Sequence, residues 1–423
     1  MLKAVILIGG PLKGTRFRPL SLDVPKPLFP VAGLPMIQHH IEACVKVSDL
    51  KEIIILGYYP SSDLSQFVSE MAQQYNIVIR YLQEFTPLGT AGGMYHFRDQ
   101  IRFGNPYGFF VLNGDVCSDF PLTEILQFHK SKDNALMTIM ATETTKQQAL
   151  NYGCIAKHPT LDHMTHYVEK PSTFVSSLIS CGVFFCSVQL FETLALAVNE
   201  KQQNAFNEGN INGGCGDMWT ATEALQLEQD VLTPLAGSGQ VYVYTSLGWW
   251  SQLKTAGAAI YANSHYLRLY SRNHPERLAS ESPNIIGHVH IHPTADVHPT
   301  AVIGPNVSIG PGAVIGEGVR LRDTILLDNS VVASHSLVIH SIVGKDVKIG
   351  SWARVEGTPC DPNPDKPFAK MDNLPLFNND GRLNPSITIL GSWVKVPSEV
   401  ILLSSIVLPY KELTRSFKYE IIL

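Results

Sequence analysis

From Ile291 to Leu321 the chain reads IHPTADVHPTAVIGPNVSIGPGAVIGEGVRL, and its apolar residues recur every sixth position. Ile291, Val297, Ile303, Ile309, Ile315 and Leu321 begin a column that continues through Leu327, Ala333 and Ile339. Ala295, Ala301, Val307, Ala313, Val319, Ile325, Val331, Leu337 and Val343 form a second column. Pro293, Pro299, Pro305 and Pro311 keep the same interval, with Gly304, Gly310 and Gly316 beside them. A helix repeats near 3.6 residues and an alternating strand at 2, so neither accounts for the pattern. A six-residue unit cannot bury its apolar positions alone, and successive short strands must stack as coils with proline and glycine at the corners. Residues 285–423 are therefore expected to form a parallel β-helix.

The second column runs on through Ile349 and Val355 and then stops. Residues 357–385, GTPCDPNPDKPFAKMDNLPLFNNDGRLNP, interrupt it before the spacing returns at Val394, Val400 and Ile406. An insertion this long without structure of its own is either functional or disordered, and function is the expectation here.

Upstream, residues 251–284 contain AGAAIYANSHYLRLYSR and read as a helical connector. Residues 1–250 have another pattern. Near-continuous apolar runs at Val5–Ile8, Ile53–Leu56, Phe109–Leu112 and Ala135–Met140 are separated by segments of helical length. Such runs imply strands covered on both faces, in an α/β domain with a mixed, mainly parallel sheet. Ligands of such sheets sit at the carboxyl ends of the strands.

Two strings end at that edge. The first, VILIGGPLKGTRFRPLSLDVPKPLFPVAG (Val5–Gly33), runs from an apolar strand into Gly9, Gly10 and Gly14, which let backbone N–H groups approach an anion. Arg16 and Arg18 add forked donors and Lys26 a compact charge, a set suited to a triphosphate. No Gly-Lys-Ser/Thr follows, which excludes a Walker A loop. The second, FFVLNGD, brings Asn113 and Asp115 to the same edge.

Together with Gln83-Glu84-Phe85-Thr86-Pro87-Leu88-Gly89-Thr90-Ala91-Gly92, Asn151-Tyr152-Gly153 and Val168-Glu169-Lys170-Pro171, these strings resemble, in content and order, the sugar nucleotidyltransferases. That family joins a sugar 1-phosphate to a nucleoside triphosphate with release of pyrophosphate. The resemblance implies a Rossmann-like nucleotidyltransferase domain followed by a left-handed β-helix. It further implies Arg16 and Lys26 on the leaving pyrophosphate and Asp115 on Mg²⁺. Gly9, Gly10, Gly14, Gln83, Gly89, Thr90 and Asn113 fall on nucleotide-binding positions, and Gly153, Glu169, Lys170 and Ser180 on sugar-binding ones. VPKPLFPVAG, PMIQHH, NGDVCSDFPL, RVEGTP and SIVLPYKEL resemble the GDP-mannose pyrophosphorylases, in their alpha, regulatory type.

Three departures concern chemistry. Pro11-Leu12-Lys13 lengthens the phosphate loop by two residues relative to catalytic members. Gln252 stands where the family's second Mg²⁺ ligand is an aspartate, and Ser180 stands where the sugar site has an asparagine. Mg²⁺ is the one cofactor the resemblance implies, and the loss of a carboxylate weakens its site. The expectation is a regulatory subunit that binds GDP-mannose and restrains a catalytic, beta-type partner, with residues 357–385 carrying the signal. The alternative is an active mannose-1-phosphate guanylyltransferase. A translation-factor exchange subunit is disfavoured by VEKP. A hexapeptide acyltransferase is disfavoured because His288, His290, His292, His298, His335 and His340 fall on repeat positions.

Composition agrees with a globular protein of 423 residues, 45% hydrophobic, with a net charge of −5 and no basic cluster to mark a nucleic-acid or membrane partner. Seven scattered cysteines without a C-x-x-C pair read as reduced core residues, and the expected compartment is the cytoplasm. The strand edges and flat faces of a β-helix call for cover, so homo- and hetero-oligomers are expected.

Overall fold

The computed structural model describes residues 1–11, 15–207, 224–280, 282–372 and 374–423. Gly14 and Cys215 lie outside the described residues, as do Leu12 and Lys13 of the lengthened phosphate loop. The chain divides into two compact units. One comprises the described residues of Met1–Lys13, Ile37–Trp250 and Asn363–Lys370, the other those of Gly14–Met36, Ser251–Pro362 and Met371–Leu423.

The first unit is built on a sheet of nine strands among the described residues. These are β1 (Leu2–Gly9), β2 (Leu50–Gly57), β3 (Val78–Gln83), β4 (Gly108–Asn113), β5 (Met137–Glu143), β6 (Gly153–Lys157), β7 (Met164–Glu169), β8 (Leu178–Ser187) and β9 (Val241–Thr245). The main path runs β7-β6-β8-β4-β1-β2-β3, and β5 joins β8 to β9. β1 lies parallel to β2 and β4, β2 to β3, and β5 to β9, whereas β8 runs antiparallel to β4, β5 and β6. The carboxyl ends of β1, β2, β3, β4 and β5 therefore meet at one edge. The apolar runs are covered as their composition requires: Phe109, Val111, Ile139, Phe184 and Leu190 are at most 1% exposed in one core. Each such side chain contributes about 1.5–3 kcal/mol by leaving water.

β8 passes this edge through an irregularity between Ser180 and Phe184. Gly182 sits there at φ +69°, and a Cβ at that position would come within 2.6 Å of the Asn113 amide nitrogen. Glycine is what allows the strand past Asn113.

In the second unit short parallel strands stack as the six-residue period requires, consistent with the left-handed β-helix implied by the resemblance. The period has a slip that the columns did not show. Ile303 pairs with Leu321, eighteen residues on, but Ile309 pairs with Leu326 and Val314 with Val331, seventeen on. From there the coils are one residue short, until the last, where Leu402 pairs with Phe417 and Ile406 with Ile421, fifteen on. Leu326, Val332 and Val338 hold the interior, while Ala333, Ile339, Val331 and Leu337, expected inside, are half-exposed. At each shortened corner stands a buried hydroxyl residue: Thr324, Ser341, Thr388 and Ser405. Their hydroxyls donate to the carbonyls of Arg322, Ile339, Glu356 and Leu403 at 2.7, 2.7, 2.7 and 2.8 Å. Buried carbonyls need partners, and these side chains supply them. Val343 pairs with Leu390, 47 residues on, so the coil closes across the insertion without losing register.

The helix Ala256–Asn273 packs on the outer side of these coils. Its Asn263, fully buried, accepts from Ala32 N and Ser308 Oγ, both at 2.8 Å, and donates to Asn306 O at 3.2 Å. Ala32 belongs to a tight hairpin, Pro30–Val31 paired with Leu34–Pro35, whose two turn residues Ala32 and Gly33 both have positive φ. A Cβ on Gly33 would overlap the His290 imidazole.

Among the described residues, no helix is long and apolar enough to cross a membrane.

Candidate functional site

In the first unit the carboxyl ends of β1, β2 and β3 open on a cleft of about 130 Å³ lined by Leu7, Gly9, Gly10, Leu56, Tyr58, Glu84, Pro87, Gly89 and Thr90. Gly9 is at φ +64° with open space where a side chain would be. At Gly10 a Cβ would lie 2.8 Å from that of Tyr58, so two of the expected glycines do bring bare backbone to the cleft. Gly89 begins the helix α2 (Gly89–His96), whose first turn leaves amides without helical partners. Leu225 O takes the amides of Ala91 and Gly92 at 2.9 and 3.1 Å.

Two residues expected at the nucleotide have other engagements. Gln83 Oε1 accepts from the amide and hydroxyl of Ser61 at 3.1 and 2.7 Å, at the start of α1 (Ser61–Tyr75). Thr90 Oγ1 donates to Glu228 Oε2 at 3.0 Å and accepts from Leu227 N at 2.8 Å. Its hydroxyl proton is used inside the protein. Asn113 O is met by the His40 ring at 3.2 Å.

Of the residues expected at the sugar, Gly153, Glu169 and Lys170 come together in one cluster. Tyr167 donates to Glu169 Oε2 at 2.9 Å, and Glu169 Oε1 lies 3.2 Å from Lys170 Nζ. A Cβ on Gly153 would overlap the Tyr167 hydroxyl and come 2.8 Å from Glu169 Oε2, which fixes glycine there by close approach. Lys170 is at φ +45°, its amide bonded to Tyr152 O at 3.1 Å. Ser180 Oγ accepts weakly, at 3.5 Å, from Gly182 N. Burial, reinforced by the Glu169 charge, holds the Tyr167 phenol protonated well above the ordinary range. Burial likewise raises Glu228, with the Thr90 hydrogen bond opposing it. Glu228 takes the Thr90 hydroxyl and lies within electrostatic reach of Glu169 and Lys170, and nothing in its local sequence marked it. Tyr58, Gln148 and Trp250 were missed for the same reason: each acts through a fold contact, not a motif.

Arg16 lies on the turn Thr15–Phe17 and Lys26 on Lys26–Leu28, both in the second unit, where Lys26 Nζ stands 5.9 Å from the Phe17 ring centroid. Gln252 belongs to that unit as well, and Asp115 to the first. Among the described residues no grouping of three or more His, Cys, Asp or Glu is arranged to hold a metal ion. Asp115 is the single carboxylate of the expected pair, a donor set poorer than a resident Mg²⁺ requires.

The nucleotidyl transferase family matches residues 3–227 and the GMPPB C-terminal domain residues 285–422. The chain is 61% identical, over the whole of both chains, to the mannose-1-phosphate guanylyltransferase regulatory subunit alpha of Drosophila melanogaster. Proteins of the same name from Xenopus tropicalis and Homo sapiens are 56% and 55% identical, again over the whole of both chains. The chain belongs to the mannose-1-phosphate guanylyltransferase alpha family. The family's nucleotidyl transferase region thus contains the glycine-lined cleft and most of the Glu169 cluster, with Glu228 one residue beyond its matched end.

Proposed function

We propose that this chain is the regulatory subunit of a mannose-1-phosphate guanylyltransferase, binding GDP-mannose at the edge of its sheet and inhibiting a catalytic partner. One contrast carries the reading: the sugar-side cluster of Gly153, Tyr167, Glu169 and Lys170 is intact, whereas the position of the second metal carboxylate is Gln252. Replacing a carboxylate by a neutral amide removes a full charge at a divalent ion. If about 4 kcal/mol of transition-state stabilisation goes with it, turnover falls about a thousandfold. Ground-state contacts to sugar and base lose far less. A site altered in this way holds product better than it makes it. The names of its relatives support the regulatory assignment and a catalytic partner subunit.

The test is calorimetric titration of the purified chain with GDP-mannose and other nucleotide sugars, with and without Mg²⁺, followed by assay of GDP-mannose formation. The expected result is Mg²⁺-independent binding of GDP-mannose, negligible turnover alone, and lowered turnover when the chain is added to the catalytic subunit. Robust turnover by the chain alone would establish the active guanylyltransferase instead. The Gln252→Asp variant is expected to gain measurable turnover in the presence of Mg²⁺.

A further inference from the structure

The insertion that interrupts the β-helix sends Asn363–Lys370 into the first unit. There the Gln148 side chain grips the main chain of Lys370: Nε2 donates to Lys370 O at 2.5 Å and Oε1 accepts from Lys370 N at 2.8 Å. Gln148 is itself 9% exposed, and its Oε1 also accepts from the Thr144 and Thr145 hydroxyls at 3.2 and 3.1 Å. One amide making two opposed bonds sets register much as a strand pair does.

The grip brings the Lys370 side chain to the ligand edge. Its Nζ donates to Thr142 Oγ1 at 3.2 Å. Thr142 is paired with Ile179 across the β5–β8 ladder, and the neighbouring pair is Ala141 with Ser180. The Trp250 ring centroid lies 6.0 Å from the ammonium. Trp250 donates to Cys181 O at 2.9 Å and packs edge-on against Tyr152, the residue before Gly153. Lys370 is thus set among residues that flank both Ser180 and Gly153.

Its environment is uncommon for a lysine. Among the described residues no carboxylate lies within ion-pair distance of it, and its partners are one hydroxyl and one aromatic face. Burial lowers its proton affinity, opposed by Cys181 and Glu143. A half-buried ammonium with no ion-pair partner among the described residues is a site for an anion.

We propose that Lys370 is a binding residue for the diphosphate of a nucleoside diphosphate sugar at this edge, supplying from the insertion the positive charge that a metal ion supplies where two carboxylates are present. This rests on the reading of the edge as a nucleotide-sugar site. Gln148 is the positioning residue. Occupancy of the edge and placement of the insertion are then two sides of one equilibrium, since ligand bound to Lys370 holds the segment down by its differential affinity.

Binding of GDP-mannose to the full chain, without Mg²⁺, is compared among wild type, Lys370→Met, Lys370→Arg and Gln148→Ala, with melting temperature as the check on folding. Lys370→Met and Gln148→Ala are expected to weaken binding about tenfold, and Lys370→Arg by no more than about threefold. In parallel, acetylation of Lys370 by acetic anhydride is followed by mass spectrometry with pyrophosphate or GDP-mannose present, and both are expected to protect it. Wild-type affinity in a folded Lys370→Met chain, or acetylation that neither ligand slows, overturns the inference. Protection by pyrophosphate in a chain that does not bind GDP-mannose keeps the anion site and overturns the proposed function. Binding of GDP-mannose without protection does the reverse.

Discussion

Asn263 satisfies three polar groups from a position with no access to water, one in the Pro30–Pro35 hairpin and two in the β-helix at Asn306 and Ser308. Asn263→Ala leaves Ala32 N–H and the Ser308 hydroxyl without that partner, at a cost of about 3 kcal/mol, which denaturant unfolding of the variant measures. Burial pushes His129 down to about 4, with Thr138 Oγ1 2.8 Å from its Nδ1. An imidazole whose folded value is depressed contributes stability above its unfolded value near 6.5, and that contribution is lost as pH falls toward about 4. The wild type is therefore expected to lose more thermal stability between pH 7 and pH 4.5 than His129→Asn does. Neither residue was legible in the sequence. A lone asparagine in a helix and a lone histidine near another helix's end carry no spacing, and only the fold brings their partners. Glu169, Lys170 and Gly153 were legible because chain order and local string fixed them together.

The strands show where pattern reading succeeds and where it drifts. β1, β2, β4 and β5 lie on the four apolar runs, because a strand covered on both faces must be apolar throughout. The six-residue columns located the β-helix but left the interior at Val331, Ala333, Leu337 and Ile339, and the second met it again at Val343. Hydroxyl residues at Thr324 and Ser341 mark the shortened corners, and a search for apolar columns passes over them. Inserting one residue between Asp323 and Thr324 restores a strict six and is expected to destabilise the unit. The inserted residue displaces the Thr324 hydroxyl from Arg322 O and forces Leu326 out of register with Ile309. Calorimetry should show a lowered transition, whereas Thr324→Ser, which keeps the hydroxyl, should lower it by much less. On β8, Gly182→Ala is expected to cost more than the usual glycine-to-alanine change, because it meets both positive φ and the Asn113 amide. The same assay reads it.

Over the whole molecule, each compact unit is woven from segments far apart in the chain. Residues of Gly14–Met36 belong with the β-helix, and Asn363–Lys370 with the nucleotidyl transferase sheet. Contiguity along the chain is what a composition scan can see, and close packing between distant segments is what it cannot. A chain ended after Trp250 keeps the Pro30–Pro35 hairpin but lacks Asn263 and His290, which hold its turn. That hairpin is expected to be cut by protease in the shortened chain and resistant in the full one, with mass spectrometry of the fragments as the readout. The weave also sets a timetable for synthesis. The hairpin emerges from the ribosome early, and the helix bearing Asn263 more than 200 residues later. At roughly 5–20 residues per second, it waits on the order of ten to forty seconds with its apolar side uncovered. The nascent chain therefore carries, for much of its translation, a hairpin whose turn has not yet met the side chains that hold it.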